Sequence, residues 1–206
     1  MSAGFGLPLV LDGSQLVALV VGAGTVATRK VTSLLDGGAR VRVRAPHIAE
    51  AVAERAARDD RLTIERETYD ASAIGDATLV VAATDDHSLN SRIAADARRL
   101  RRLVLVAGDP TSGNCVMPAV HRSGDLVVAV TSGGVPRASA RIREALARRL
   151  DTRYAAAIRE LATLRQRLLA HDDRATWQSA ASTLLADDFC ESVESGAFSE
   201  RLAAWR

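Results

Sequence analysis

Short apolar runs alternate with longer stretches in which apolar residues return every three or four positions, and this alternation organises the first half of the chain. Residues 16–21 form the first apolar run and read as a strand. A helix is expected over residues 25–36, stopped by Gly37-Gly38. A second strand over residues 40–45 is broken by Pro46 and is followed by a helix over residues 47–58 and a strand over 62–66. Residues 77–83 read as a continuous apolar run, the pattern of a strand buried on both faces. A helix over residues 87–100 and a strand over 103–107 complete the series. Strands separated by helical patterns predict βαβ units and a parallel sheet.

The pattern changes after residue 112. Residues 115–121 and 126–131 are two apolar runs joined by Arg122-Ser123-Gly124-Asp125, which predicts a β-hairpin in place of another βαβ unit. Gly133-Gly134 follows, then an arginine-rich helix over residues 136–150. From residue 151 onward the pattern is helical; Leu161, Leu164, Leu168 and Leu169 make an apolar stripe that reads as core. The expected division is therefore residues 1–112, 113–150 and 151–206. The expected fold class is α/β, with an N-terminal Rossmann-type parallel sheet, a small hairpin region and a C-terminal helical domain.

The junction of the first strand and helix carries the most chemistry. Gly22-Ala23-Gly24-Thr25-Val26-Ala27 is a G-x-G-x-x-A turn between a strand and a helix. The first glycine permits the tight turn, the second lets backbone approach a pyrophosphate, and the small Ala27 lets helix and strand come close. The N–H groups at the helix start then face the anion. This predicts a dinucleotide site, against the plainer reading of a structural glycine turn. Dinucleotide sites usually carry Asp or Glu at the end of the second strand for the ribose hydroxyls. Here the chain reads Arg44-Ala45-Pro46-His47, and Arg44 by itself suggests a 2′-phosphate and NADP. Thr84-Asp85-Asp86 ends the fourth strand, where ligands bind in open parallel sheets. Two readings stand there: Thr84 lines the cofactor site, and Asp85 or Asp86 caps the next helix.

Composition narrows the partners. The net charge of +2 does not argue for nucleic acid. Lys30 is the only lysine, so arginine supplies nearly all the positive charge; arginine forks suit carboxylate-rich ligands, although solvated surface accounts for any one of them. Cys115 and Cys190 lie far apart with no metal spacing and read as free thiols. Without a signal peptide or an apolar run of about 18 residues, a cytoplasmic protein with no membrane span is expected.

Several segments, taken in order, match one family. They are Gly22 through Lys30, Ala82-Ala83-Thr84-Asp85-Asp86 with Asn90, Met117-Pro118-Ala119, and Val128 through Gly134, with Trp177 further on. On these the chain resembles the precorrin-2 dehydrogenases, which include the N-terminal module of siroheme synthase. The resemblance implies oxidation of precorrin-2 to sirohydrochlorin with NAD, and a homodimer formed through the hairpin region, which has too few strands to cover itself. Some members also insert Fe2+ into sirohydrochlorin.

The resemblance also assigns roles. Gly22, Gly24, Thr25, Val26, Pro46, His47 and Thr84 fall at cofactor positions, and it favours NAD over NADP despite Arg44. Ser132 falls beside the tetrapyrrole site, although Ser132-Gly133-Gly134 also reads as a helix-start turn before Pro136. Gly133 permits close approach of backbone to a ligand. Arg137, one of the arginines beside the hairpin with Arg122, Arg141 and Arg143, is a candidate clamp for the substrate's carboxylates, against the reading of solvated surface. An aspartate after the fifth strand is the expected acid–base group. Ungapped matching puts Gly108 there, with Asp109 one residue later; Asp109 is the candidate, against the reading that Asp109-Pro110 is only a turn. No metal ligands are expected. Two alternatives remain: a bifunctional enzyme that also inserts iron, and a non-catalytic NAD(H)-sensing Rossmann module.

Overall fold

A computed structural model describes residues 6–205. The chain divides into two compact units, Met1–Met117 and Pro118–Arg206.

The first unit is a five-stranded parallel sheet. Its strands are β1 (Val17–Val21), β2 (Arg40–Arg44), β3 (Leu62–Glu65), β4 (Leu79–Ala82) and β5 (Leu103–Val106), in the order β3-β2-β1-β4-β5. Helices α1 (Thr25–Asp36), α2 (Glu50–Ala56) and α3 (His87–Arg99) make connections, while β3 reaches β4 through a single 3-10 turn, Ala71–Ile74. The sheet separates two apolar layers. Ala18 and Val20 of β1 and Leu79 and Val81 of β4 face one layer, with Ala27, Val31, Leu34 and Leu35 of α1. Leu19 and Val21, Val80 and Ala82 face the other, with Ile93, Ala94 and Ala97 of α3. Strand side chains alternate between faces, so both central strands must be apolar throughout. Each such valine or leucine contributes about 1.5–3 kcal/mol on burial.

The order reverses between β1 and β4, since β2 and β3 build outward one way and β4 and β5 the other. This switch point is where open parallel sheets bind ligands, outside the carboxyl ends of the strands.

The expected strands and helices of this unit are present, with shifted ends. The helix expected from residue 47 begins at Glu50, because Ala49 is still extended (ψ 143°); Pro46 and His47 therefore sit in a loop. The first hairpin strand, expected over residues 115–121, is Ala119–Ser123. The preceding segment instead finishes the edge of β5. Asn114 accepts from the Val104 N–H (2.7 Å) and donates to the Arg102 carbonyl (3.0 Å). Its side-chain amide thus acts as a one-residue strand, and Cys115 and Met117 pack onto the first unit's core.

In the second unit, β6 (Ala119–Ser123) and β7 (Leu126–Val130) pair antiparallel across a two-residue turn, Gly124-Asp125. Helices α4 (Pro136–Arg149), α5 (Thr152–Ala170), α6 (Arg174–Leu184), α7 (Phe189–Ser195) and α8 (Ala197–Ala203) follow. Tyr154, Leu161, Leu164, Leu184, Val193, Phe198 and Leu202 form their core, with Trp177 packed against it. Phe189 meets both Tyr154 and Phe198 edge-on, with ring centroids 6.4 and 5.6 Å apart. Of the leucine stripe, Leu161 and Leu164 are buried. No helix among the described residues is long and apolar enough to cross a membrane.

Candidate dinucleotide site

Backbone hydrogen bonds tie the strand ends together at the carboxyl edge of the sheet. Gly22 N–H donates to the Arg44 carbonyl (3.0 Å), Ala83 to Val21 (2.9 Å), Ala45 to Glu65 (3.1 Å) and Ala107 to Ala82 (2.8 Å). The residues that leave these strands, Gly22, Pro46, Thr84 and Gly108, therefore emerge from one edge.

Gly22 turns out of β1 at φ +105°, and a Cβ there would lie 2.3 Å from the Ala83 carbonyl oxygen. No other residue fits, on conformation and on space. Gly24 is the N-cap of α1. It offers no side chain to the helix N–H groups, and a Cβ built on it meets nothing within 4 Å. Thr25 and Val26 follow in the first turn, and Val26 is 49% exposed. An uncapped helix start with open space before it leaves N–H donors and the positive end of the helix dipole directed outward, as a pyrophosphate requires.

The neighbouring loop is closed on itself. Thr84 N–H and Oγ1–H both donate to Asn90 Oδ1 (3.2 and 2.8 Å), and Asn90 Nδ2–H returns a bond to the Thr84 carbonyl (2.9 Å). Asn90 is only 2% exposed. Of the two aspartates, Asp86 is the cap of α3, its Oδ1 accepting from Ser88 and Leu89 N–H at 2.8 and 3.0 Å. Asn90 holds Thr84 at the strand end, and nothing in local sequence announces that pairing.

Asp109 follows Gly108, which turns at φ +84°. That angle suits glycine far better than the aspartate expected at this position. Asp109 caps the short 3-10 turn Pro110–Ser112, accepting from the N–H and hydroxyl groups of Thr111 and Ser112. These bonds, led by the two hydroxyls, hold its carboxyl down at about 2. The group is thus a fixed negative charge and a weak base. Nearby, burial lowers Lys30 and pushes the Cys115 thiol up to about 11, so Cys115 is not a nucleophile at neutral pH.

Pro46 and His47 are exposed in the loop after β2. Arg44, at the end of β2, is not open to a ligand: Nη1 donates to Glu65 (3.0 Å), Nη2 to Glu67 (2.7 Å) and Asp70 (2.6 Å), and Nε to the Thr68 carbonyl (2.8 Å).

The remaining predicted residues belong to the second unit. Ser132 Oγ–H donates to the Val135 carbonyl (2.6 Å) and shares a hydrogen bond with Ser139 Oγ (2.7 Å), fixing the turn that starts α4. Gly133 is in that turn, and Arg137 is exposed in the first turn of α4. His121 Nε2–H donates to the Leu150 carbonyl (2.7 Å), a packing role. Among the described residues no three of His, Cys, Asp or Glu gather in a metal-holding group.

A doubly wound parallel sheet whose first turn is a glycine corner with an uncapped helix start defines a dinucleotide-binding protein. The comparisons with known proteins agree. Residues 9–119, more than half the chain, match the family model described as "Putative NAD(P)-binding", and the chain belongs to that family. Its relatives include siroheme synthases. That of Nitrosospira multiformis is 39% identical over 149 residues, 71% of this chain and 31% of the relative. That of Nitrosomonas europaea is 31% identical over 201 residues, 92% of this chain and 40% of the relative. The chain thus spans about a third of the length of the curated relatives it matches. Among solved structures, "SirC, precorrin-2 dehydrogenase" matches with a TM-score of 0.74 at 25% identity, covering 96% of this chain and 99% of that one. Within the NAD(P)-binding family the chain therefore stands with the siroheme synthases and precorrin-2 dehydrogenases.

Proposed function

We propose that this chain is an NAD-dependent dehydrogenase that converts precorrin-2 to sirohydrochlorin, a step of siroheme and tetrapyrrole biosynthesis. The observation that carries this reading is the end-to-end likeness to a precorrin-2 dehydrogenase, coupled to an uncapped glycine corner at the switch point. Gly22 sets the corner, and Gly24, Thr25 and Val26 take the pyrophosphate on backbone N–H groups. Pro46 and His47 border the adenosine side, and Thr84, held by Asn90, borders the other side of the switch point. The nicotinamide, when bound, supplies the acceptor for the hydride that leaves the reduced macrocycle.

Asp109 is the candidate catalytic residue. Loss of a hydride leaves positive charge on the substrate, and a carboxylate held at about 2 stabilises that charge without being neutralised. The proton then passes to solvent more readily than to Asp109. Ser132, Gly133 and Arg137 are assigned to the tetrapyrrole, Arg137 as partner for one of its carboxylates. The working form is a cytoplasmic homodimer with its contact in the β6–β7 region, without nucleic acid or membrane partners.

The test is anaerobic incubation of the full chain with precorrin-2 and NAD. NADH and sirohydrochlorin should appear together; no NADH above an enzyme-free control overturns the reading. Asp109→Asn keeps the Oδ1 acceptor that caps the turn but removes the charge, and should lower kcat by roughly 10–100-fold with less effect on KM. Unchanged turnover removes Asp109 from the mechanism.

A further inference from the structure

Arg44 is the last residue of β2, twenty positions after Gly24, and its carbonyl accepts from Gly22 N–H at 3.0 Å. In dinucleotide-binding sheets this strand end meets the adenosine ribose. An acid there takes the 2′-hydroxyl, and an arginine takes a 2′-phosphate. By residue type alone Arg44 favours the phosphorylated cofactor.

Its surroundings reverse that assignment. A guanidinium has five N–H donors, and those of Arg44 meet three carboxylates and a carbonyl at 2.6–3.0 Å. The side chain is only 11% exposed, whereas those of Glu67 and Asp70 are 67% and 52% exposed. The cation is inside, and two of its three carboxylates are outside. Arg42 does not restore the balance, because it is itself paired with Glu65 (3.5 Å) and Asp76 (3.2 Å). Arg44 therefore faces three carboxylates at this end of the sheet, one of them, Glu65, shared with Arg42. A 2′-phosphate brought to the end of β2 would meet Glu67 and Asp70 before it met Arg44. Two ribose hydroxyls, by contrast, are donors for which those carboxylates have lone pairs to spare.

We propose that Glu67 and Asp70, by sequestering Arg44, make this site select NAD and reject NADP, with the acid that such sites place on β2 supplied from the loop after β3. The inference rests on the dinucleotide reading above and names the groups that set its cofactor specificity.

The test measures binding of NAD and NADP to the full chain by calorimetry, with Glu67→Gln/Asp70→Asn and with that pair plus Arg44→Ala. Thermal melting verifies that each variant is folded, and the single Glu67→Gln, at a largely exposed position, stands in should the pair fail to fold. The unaltered chain should favour NAD by on the order of tenfold or more, as expected for a like-charge clash. The double variant should narrow that ratio by roughly tenfold, chiefly through tighter NADP binding. Adding Arg44→Ala should abolish the gain, because the gain needs the released guanidinium. A ratio unmoved by the double variant, a gain that survives Arg44→Ala, or equal binding of the two cofactors by the unaltered chain overturns the inference and leaves the dinucleotide reading standing. Binding of neither cofactor overturns the dinucleotide reading, and the inference with it.

Discussion

Helices α1 and α3 begin at the carboxyl ends of the two central strands, β1 and β4, and their first turns are handled in opposite ways. At α3 the cap is Asp86, whose carboxylate takes two N–H groups, and Asn90 locks the loop before it. At α1 the cap is Gly24, no side chain takes an N–H, and the space in front is open. The two helices occupy equivalent places in the fold, so fold alone does not explain the difference. The helix start that is closed internally supports the structure, and the one left open is available to an external anion.

That contrast can be broken in graded steps. The largest effect is expected from Gly22→Ala. Its Cβ would press on the Ala83 carbonyl at 2.3 Å in a strained conformation, so stability should fall by about 3 kcal/mol or more. Thermal melting should show a drop of roughly 10 °C.

Asn90→Leu comes next. It keeps volume but strips three hydrogen bonds from Thr84 in a buried place. A loss of about 2–3 kcal/mol by urea titration is expected, together with weaker dinucleotide binding as the loop loosens.

The third step converts α1 into a copy of α3. Gly24→Asp has room for its side chain and supplies the missing cap. The apo protein should gain about 0.5–1 kcal/mol, while NAD affinity by calorimetry falls roughly a hundredfold, as the cap fills the N–H groups and repels pyrophosphate. Retained NAD affinity would show that the open helix start does not bind the cofactor. The reciprocal change, Asp86→Ala, should cost about 1 kcal/mol with little change in NAD affinity.

The smallest effect is acid sensitivity. Asp59 and Asp109 are both held at about 2, Asp59 chiefly by its hydrogen bonds to Arg61 and Asp109 by the hydroxyls of Ser112 and Thr111. Groups lowered by folding add stability that is complete above their unfolded value, near 4, and is lost as pH falls towards 2. Melting temperature should therefore decline between about pH 4 and pH 2. Turnover should show no acid limb from Asp109 at pH 5–8, because Asp109 is ionised throughout that range.

Much of the first unit was legible from sequence. The five strands and three helices follow from local periodicity, and Gly22 and Gly24 follow from the spacing of a strand–turn–helix. The misplaced ends depend on backbone partners and conformations that side-chain period does not report. Residues 115–117 look like strand by composition, but Asn114 draws them against Val104 of β5. The helix after Pro46 starts late because the chain remains extended through Ala49. At the site, Asp85 and Asp86 were equal candidates for the cap until geometry gave the bonds to Asp86. Ser132 can be read as a turn or as a ligand from sequence, and its bonds to Val135 and Ser139 establish the turn.

Sequence by itself determined which segments are buried on two faces, where the glycine corner falls, and that the corner leads into a helix with no capping side chain. These are properties of neighbouring residues, set by side-chain period and by what glycine lacks. Tertiary structure alone decided the state of the polar groups. Arg44 meets its carboxylates 21 to 26 residues away, and Thr84 meets an amide six residues on. A residue's type fixes the charge it can bring, but only the folded chain places its partners, and a partnered charge does different chemistry from an open one.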